Sequence, residues 1–62
     1  MDKLLLTTKE AAEVLGIGRS TVYELMYAGL LESVRIGAAR RIPAVAVEDF
    51  VRRLREQDGS AA

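Results

Sequence analysis

The feature that most constrains this chain is a gap of three residues. Gly16-Ile17-Gly18 separates two stretches in which apolar side chains recur at helical spacing. Ala11, Ala12, Val14 and Leu15 precede the gap, and Val22, Leu25, Met26 and Leu30 follow it. So short a connection permits only a tight turn, so the two helices must cross close to it. Gly16 stops the first helix through its tolerance of positive φ. Ile17 is the apolar plug of the turn, and Gly18 stands where the second helix begins. The small Ala12 matters at the crossing, because a larger side chain would push the helices apart. Thr7 with Glu10 three residues later is a capping-box pattern that starts the first helix at Thr8. Gly29 is a C-cap candidate for the second.

Over residues 33–43 the period changes from helical to alternating. Val34 and Ile36 alternate with Ser33 and Arg35, and Arg41 and Ile42 follow after Gly37-Ala38-Ala39. A β-hairpin is expected, with Ala38 and Ala39 at its tip and with Ile36 and Ile42 holding its core side. Pro43 is expected to end it, since proline cannot continue a ladder and suits the first turn of a helix. A last helix then carries Val47, Phe50, Val51 and Leu54 as an i, i+3, i+4, i+7 stripe. Its acids lie mainly toward its start, where the helix dipole favours them. The pattern predicts a mainly α fold with a β-hairpin: three short helices, of which the first two read as a helix-turn-helix. One domain spans 1–62, with its core over 5–57 and a frayed tail at 58–62. A single core is expected to consume the apolar side chains, leaving no heptad stripe and a monomer when free.

Composition narrows the function. The 62 residues include no Cys and no His. Disulfides, thiolate zinc sites, histidine-ligated metals and histidine-based catalysis therefore have no residues to build them. Glu48 and Asp49 are adjacent, so on a helix they point about 100° apart and do not converge on one substrate. The gap motif lacks the further glycine and the preceding strand of a phosphate loop. No catalytic residue, metal, cofactor or small-molecule substrate is expected. No apolar run approaches the roughly 18 residues of a membrane span, and the start lacks a signal peptide's apolar region. The chain is expected to be a cytoplasmic binding module with no membrane partner.

Nine Lys and Arg balance nine Asp and Glu, but unevenly along the chain. Residues 19–41 carry Arg19, Arg35, Arg40 and Arg41 against Glu24 and Glu32, a net +2, and the segments on either side are each −1. The central third is therefore the basic part.

At these residues the sequence resembles the excisionase-type DNA-binding family, winged-helix relatives of the DNA-binding domain of MerR-type regulators. The matching stretches are Leu6-Thr7-Thr8-Lys9-Glu10-Ala11-Ala12-Glu13-Val14-Leu15-Gly16, then Arg19-Ser20-Thr21-Val22-Tyr23, Val34-Arg35-Ile36-Gly37 and Arg41-Ile42-Pro43. The resemblance implies a winged helix-turn-helix with a two-stranded wing, its second helix in the major groove and its hairpin wing against an adjacent minor groove or the backbone. It implies an excisionase that binds and bends attachment-site DNA in a bacterial host and directs a phage-type integrase toward excision, with further copies of itself on the DNA. A small transcriptional regulator using the same surface is the alternative. Two departures are visible. Gly18 stands where a polar cap such as Ser is common, and Arg40 stands where the family often has an aromatic.

With this surface in view, Arg19 can pair with guanine or a phosphate. Ser20 and Thr21 offer hydroxyls at the helix start, where the dipole favours phosphate. Tyr23 and Tyr27, four apart on the outer face, either touch DNA or lid the core. Glu24 either accepts from cytosine or is merely solvated. Arg35, Arg40 and Arg41 either bind phosphates from the wing or pair with Glu32 or Glu48, a contact worth little at a surface. Arg52, Arg53 and Arg55 read as a solvated helix face.

Overall fold

Thr7 and Glu10 do at the first helix what their spacing predicts. In a computed structural model that describes residues 3–59, the Glu10 N–H donates to Thr7 Oγ1 (3.1 Å) and the Thr7 N–H donates to Glu10 Oε1 (2.9 Å). Two backbone donors at the helix start are thereby satisfied reciprocally, and helix α1 runs Thr8–Leu15. At its end the Gly16 N–H reaches Glu13 O (3.3 Å) and the Ile17 N–H reaches Ala12 O (3.0 Å). With Gly16 at φ 72° this is a Schellman stop, which only a residue without Cβ enters cheaply. Helix α2, Arg19–Tyr27, follows at once, capped by the extended backbone of Gly18 without a side-chain hydrogen bond.

The remaining elements are strands β1 (Leu5–Leu6), β2 (Val34–Ile36) and β3 (Ala39–Pro43) and helix α3 (Ala44–Gly59). The sheet has three strands in the order β1-β3-β2, all antiparallel. Strand β1 escapes a reading by pattern because two residues cannot display a period. Its presence adds to the role expected of Pro43, which ends β3 just before α3 and also pairs with Leu5. Strand β2 pairs only with residues 39–41, so at Pro43 the ladder has one neighbour and the missing N–H is tolerated there. The next donor, Ala44 N–H, continues to Leu4 O at 2.9 Å.

The core gathers Leu6 from β1, Ala11 and Ala12 from α1, Val22 from α2, Ile42 from β3, and Val47 and Phe50 from α3. Leu31, from the loop after α2, completes it. Ile17 packs against this cluster from the turn, as expected. Leu31, Ile42, Val22 and Val47 are the largest fully buried side chains, each contributing about 1.5–3 kcal/mol relative to exposure.

Several apolar residues expected inside lie outside. Val14 is exposed, because the buried arc of α1 is centred on Ala11, Ala12 and Leu15 and Val14 falls beside it. Leu30 is exposed and Leu31 takes its place. Helix α2 stops at Tyr27, and a second Schellman turn at Gly29 (Gly29 N–H to Met26 O, Leu30 N–H to Leu25 O) rotates the chain by one residue. Ile36 is 57% exposed whereas Ile42 is fully buried. Ile36 faces Ala39 across the hairpin, and Ala39 and Ile42 are three apart, so the two isoleucines lie on opposite faces of the sheet. The hairpin tip is Gly37-Ala38 rather than Ala38-Ala39, since Ala39 is already paired. Gly37, at φ 60°, holds the first turn position, where a type II′ hairpin needs glycine.

Helix α3 has 16 residues, longer than the short helix expected, and continues through Asp58 and Gly59, two residues into the stretch expected to fray. Residues 60–62 lie outside the described ones. No acid sits in its first turn; Glu48 and Asp49 begin the second. Val51 and Leu54 are exposed, so the core does not consume the whole stripe.

Candidate nucleic-acid interface

Helix α2 buries Val22 fully and Leu25 and Met26 partly, which turns Arg19, Ser20, Tyr23, Glu24 and Tyr27 outward. All five are exposed, and at about 100° per residue they occupy one arc of the helix. Tyr23 is half exposed and Tyr27 is 91% exposed. Tyr27 is therefore no lid on the core. Thr21 is exposed as well, but it lies roughly 160° around the axis from Tyr23, away from that arc.

The wing divides its three arginines. Arg35 and Arg40 are cross-strand partners, so their side chains leave the same face of the hairpin. Arg41 pairs with Val34 and leaves the other face. The Arg35 Nε–H donates to Gly37 O (3.1 Å), tying it over the turn, and an Arg40 guanidinium N–H donates to Ser33 Oγ (2.9 Å). An Arg41 guanidinium N–H donates to Arg40 O (3.0 Å). Among the described residues, none of the three has an ion pair with Glu32 or Glu48 or with any other carboxylate. Arg35 and Arg40 thus leave one face of the wing from facing positions, Arg35 bound toward the turn and Arg40 toward Ser33, neither paired with a protein carboxylate among the described residues.

The helix and the wing meet. Tyr23, Met26 and Tyr27 from α2 and Ser33 and Arg40 from the hairpin line one cleft of about 310 Å³. Arg40 faces the tyrosines across it. Met26 and Ser33 are members of this surface that sequence reasoning missed. Ser33 had a signal, since it sits just before β2 and seven residues from Arg40, on the opposite strand's approach. Met26 had none, because its helical spacing reads as core.

The arginines of α3 are separate from this surface. Arg52 pairs with Asp49, and an Arg53 guanidinium N–H donates to Leu30 O at 3.0 Å, pinning α3 to the loop after α2. Among the described residues, no cluster of three or more His, Cys, Asp or Glu could hold a metal ion. None of the described helices is long and apolar enough to cross a membrane.

A helix-turn-helix domain family matches the chain over residues 5–55, from β1 into α3. An excisionase of Streptomyces ambofaciens is 47% identical over 47 residues, covering 76% of each chain. The chain belongs to the excisionase family of helix-turn-helix proteins. A Saccharopolyspora erythraea protein named "Probable excisionase" is 48% identical over 60 residues, covering 97% of this chain. This chain spans 61% of that relative's length. No solved structure matches the chain. The family match takes in the capping box, both helices of the motif, the whole hairpin and most of α3.

Proposed function

We propose that this chain is a DNA-binding excisionase: it binds double-stranded attachment-site DNA, bends it, and directs an integrase toward excision. It takes no catalytic part, since its role is to reshape a site on which another protein acts. It works in the bacterial cytoplasm, with further copies of itself along the DNA. The single observation that carries this reading is the joint surface of α2 and the wing. An arc of exposed side chains on a short helix opens into a cleft whose far wall is Arg40, with Arg35 beside it.

The chemistry suits duplex DNA. Helix α2 lies in the major groove, where Arg19 pairs with guanine or a phosphate and Ser20 donates to the backbone. Gly18 leaves the first N–H groups of α2 without a side-chain acceptor, and such groups receive phosphate oxygens. Tyr23 and Tyr27 place their rings against sugar or a thymine methyl. Across the cleft, one phosphate held between Arg35 and Arg40 relieves the repulsion between them. Arg41, on the other face, reaches the adjoining backbone or minor groove.

The test is a circular-permutation mobility assay on the chain's attachment region, read beside a footprint. The expected result is a protected site whose complex migrates according to the position of the site in the fragment. Protection without position dependence would overturn the architectural role, and absence of protection would overturn the DNA-binding role.

A further inference from the structure

The second half of α3 has an apolar strip that the described residues leave only partly covered. Val47 and Phe50 anchor the helix in the core, but every side chain from Val51 through Asp58 is exposed. A helical segment of that length holds its shape poorly without a packing partner. Val51 is 38% and Leu54 45% exposed, and with Arg55 and Gln57 they border a shallow depression on this end of the helix. Asp58 closes the strip, so it is about two turns long.

Charge decides what fits there. Glu48 and Arg55 are two turns apart and flank the strip on the same edge, beside Val51, at about 100° per residue. Among the described residues neither has an ion-pair partner. In an antiparallel arrangement of two such helices, Val51 packs against Leu54 of the second copy and Leu54 against its Val51. Glu48 then falls beside Arg55 of the second copy, and the reverse pair forms by symmetry. A parallel two-fold arrangement would instead carry this edge to opposite sides of the seam, so neither charge would meet its complement. We infer that α3 docks on the α3 of a second copy of this chain, antiparallel, through Val51 and Leu54 with reciprocal Glu48–Arg55 pairs. Such a self-complementary patch is what a two-fold contact requires.

The contact is small. Two apolar side chains a copy fall short of the roughly 1,000 Å² of a persistent interface, so the pair is transient between free molecules. It becomes effective when two copies are held near each other, at an effective concentration of about a millimolar. That consequence for assembly on DNA rests on the proposed excisionase reading, whereas the pairing itself does not.

Because the chain contains no cysteine, single cysteines report the geometry directly. Val51→Cys and Leu54→Cys proteins are mixed without DNA at about millimolar concentration and allowed to equilibrate in a glutathione redox buffer. The expected product is the mixed 51–54 disulfide, several-fold over either symmetric one and over Val45→Cys, an exposed control on the far side of α3. Glu48→Arg or Arg55→Glu placed in both cysteine proteins should reduce the mixed product several-fold, and the two together should restore it. These positions are exposed, and circular dichroism checks that each variant is folded. Symmetric 51–51 and 54–54 products, a yield no higher than at Val45, or no rescue by the double charge exchange would each overturn the proposal. None of these outcomes depends on DNA, so failure here is distinguishable from failure of the DNA-binding reading.

Discussion

Arg35 and Arg40 stand directly opposite each other across the two strands of the wing. Like charges in that position disfavour the free hairpin, by about 0.2–1 kcal/mol for such a pair. A nearby phosphate would offset that repulsion. Replacing both by Ala should leave the free protein as stable as before, or slightly more so, by thermal melting. Binding to DNA should weaken, and the slope of log K against log salt should fall by up to about two units, at roughly 0.9 for each phosphate contact. A folded double variant with unchanged slope would remove the wing from the interface.

Arg19 opens the exposed arc of α2 and is placed to read a base. Arg19→Ala should weaken binding to the attachment site by about 1–3 kcal/mol and binding to random duplex by less. Titrating both DNAs at one salt concentration gives the comparison. Equal losses would make Arg19 a phosphate contact.

The neighbouring leucines after α2 should behave differently although they are chemically the same. Leu31 is 1% exposed in the core and Leu30 is half exposed. Leu31→Ala should cost about 2–5 kcal/mol in urea unfolding, a large share of what so small a domain has, whereas Leu30→Ala should change stability by less than about 1 kcal/mol. Similar losses at both positions would mean that the turn at Gly29 is drawn wrongly.

Acid should loosen the start of α1. The hydrogen bond from Lys3, aided by the backbone N–H of Thr7, lowers the Glu10 carboxyl from 4.5 to about 2. A depressed folded pKa adds stability at a pH above the unfolded value, and this is lost as pH falls through the folded one. The contribution should therefore be complete above pH 4.5 and vanish on acidification toward pH 2. Glu10→Gln should flatten that part of the stability-versus-pH curve. Denaturant melts at a series of pH values follow it.

How much of this was legible in the sequence depended on whether the signal was local. The capping box, the stops at Gly16 and Gly29, and the hairpin are each written within a few consecutive residues, and each formed there, the hairpin with its tip one residue earlier than expected. Strand β1 was not legible because two residues carry no period, and its only cause is the exposed edge of β3 some 37 positions later. Val14, Leu30 and Ile36 were misplaced for a related reason. Periodicity says that a residue is apolar at a helical or strand spacing, but where the core ends is set by neighbours from elsewhere in the chain. For the interface, the residue types were readable and their grouping was not. Only the register of β2 on β3 puts Arg35 with Arg40 and sets Arg41 apart.

Strand β3 is shared, since one of its edges carries β2 and the other carries β1. The wing is therefore the free end of a strand whose root is locked by Leu5 and Leu6. Opening that root requires undoing a ring closed between residues far apart in the chain, which is part of global unfolding rather than a local event. In hydrogen exchange the amides of Leu6 and Ile42 should leave together at the slowest rates, while those at Gly37 and Ala38 exchange early. A pull on the wing tip by a bound duplex would thus be felt at the N-terminal strand, so the hairpin behaves as a lever with a fixed fulcrum and not as a hinged flap.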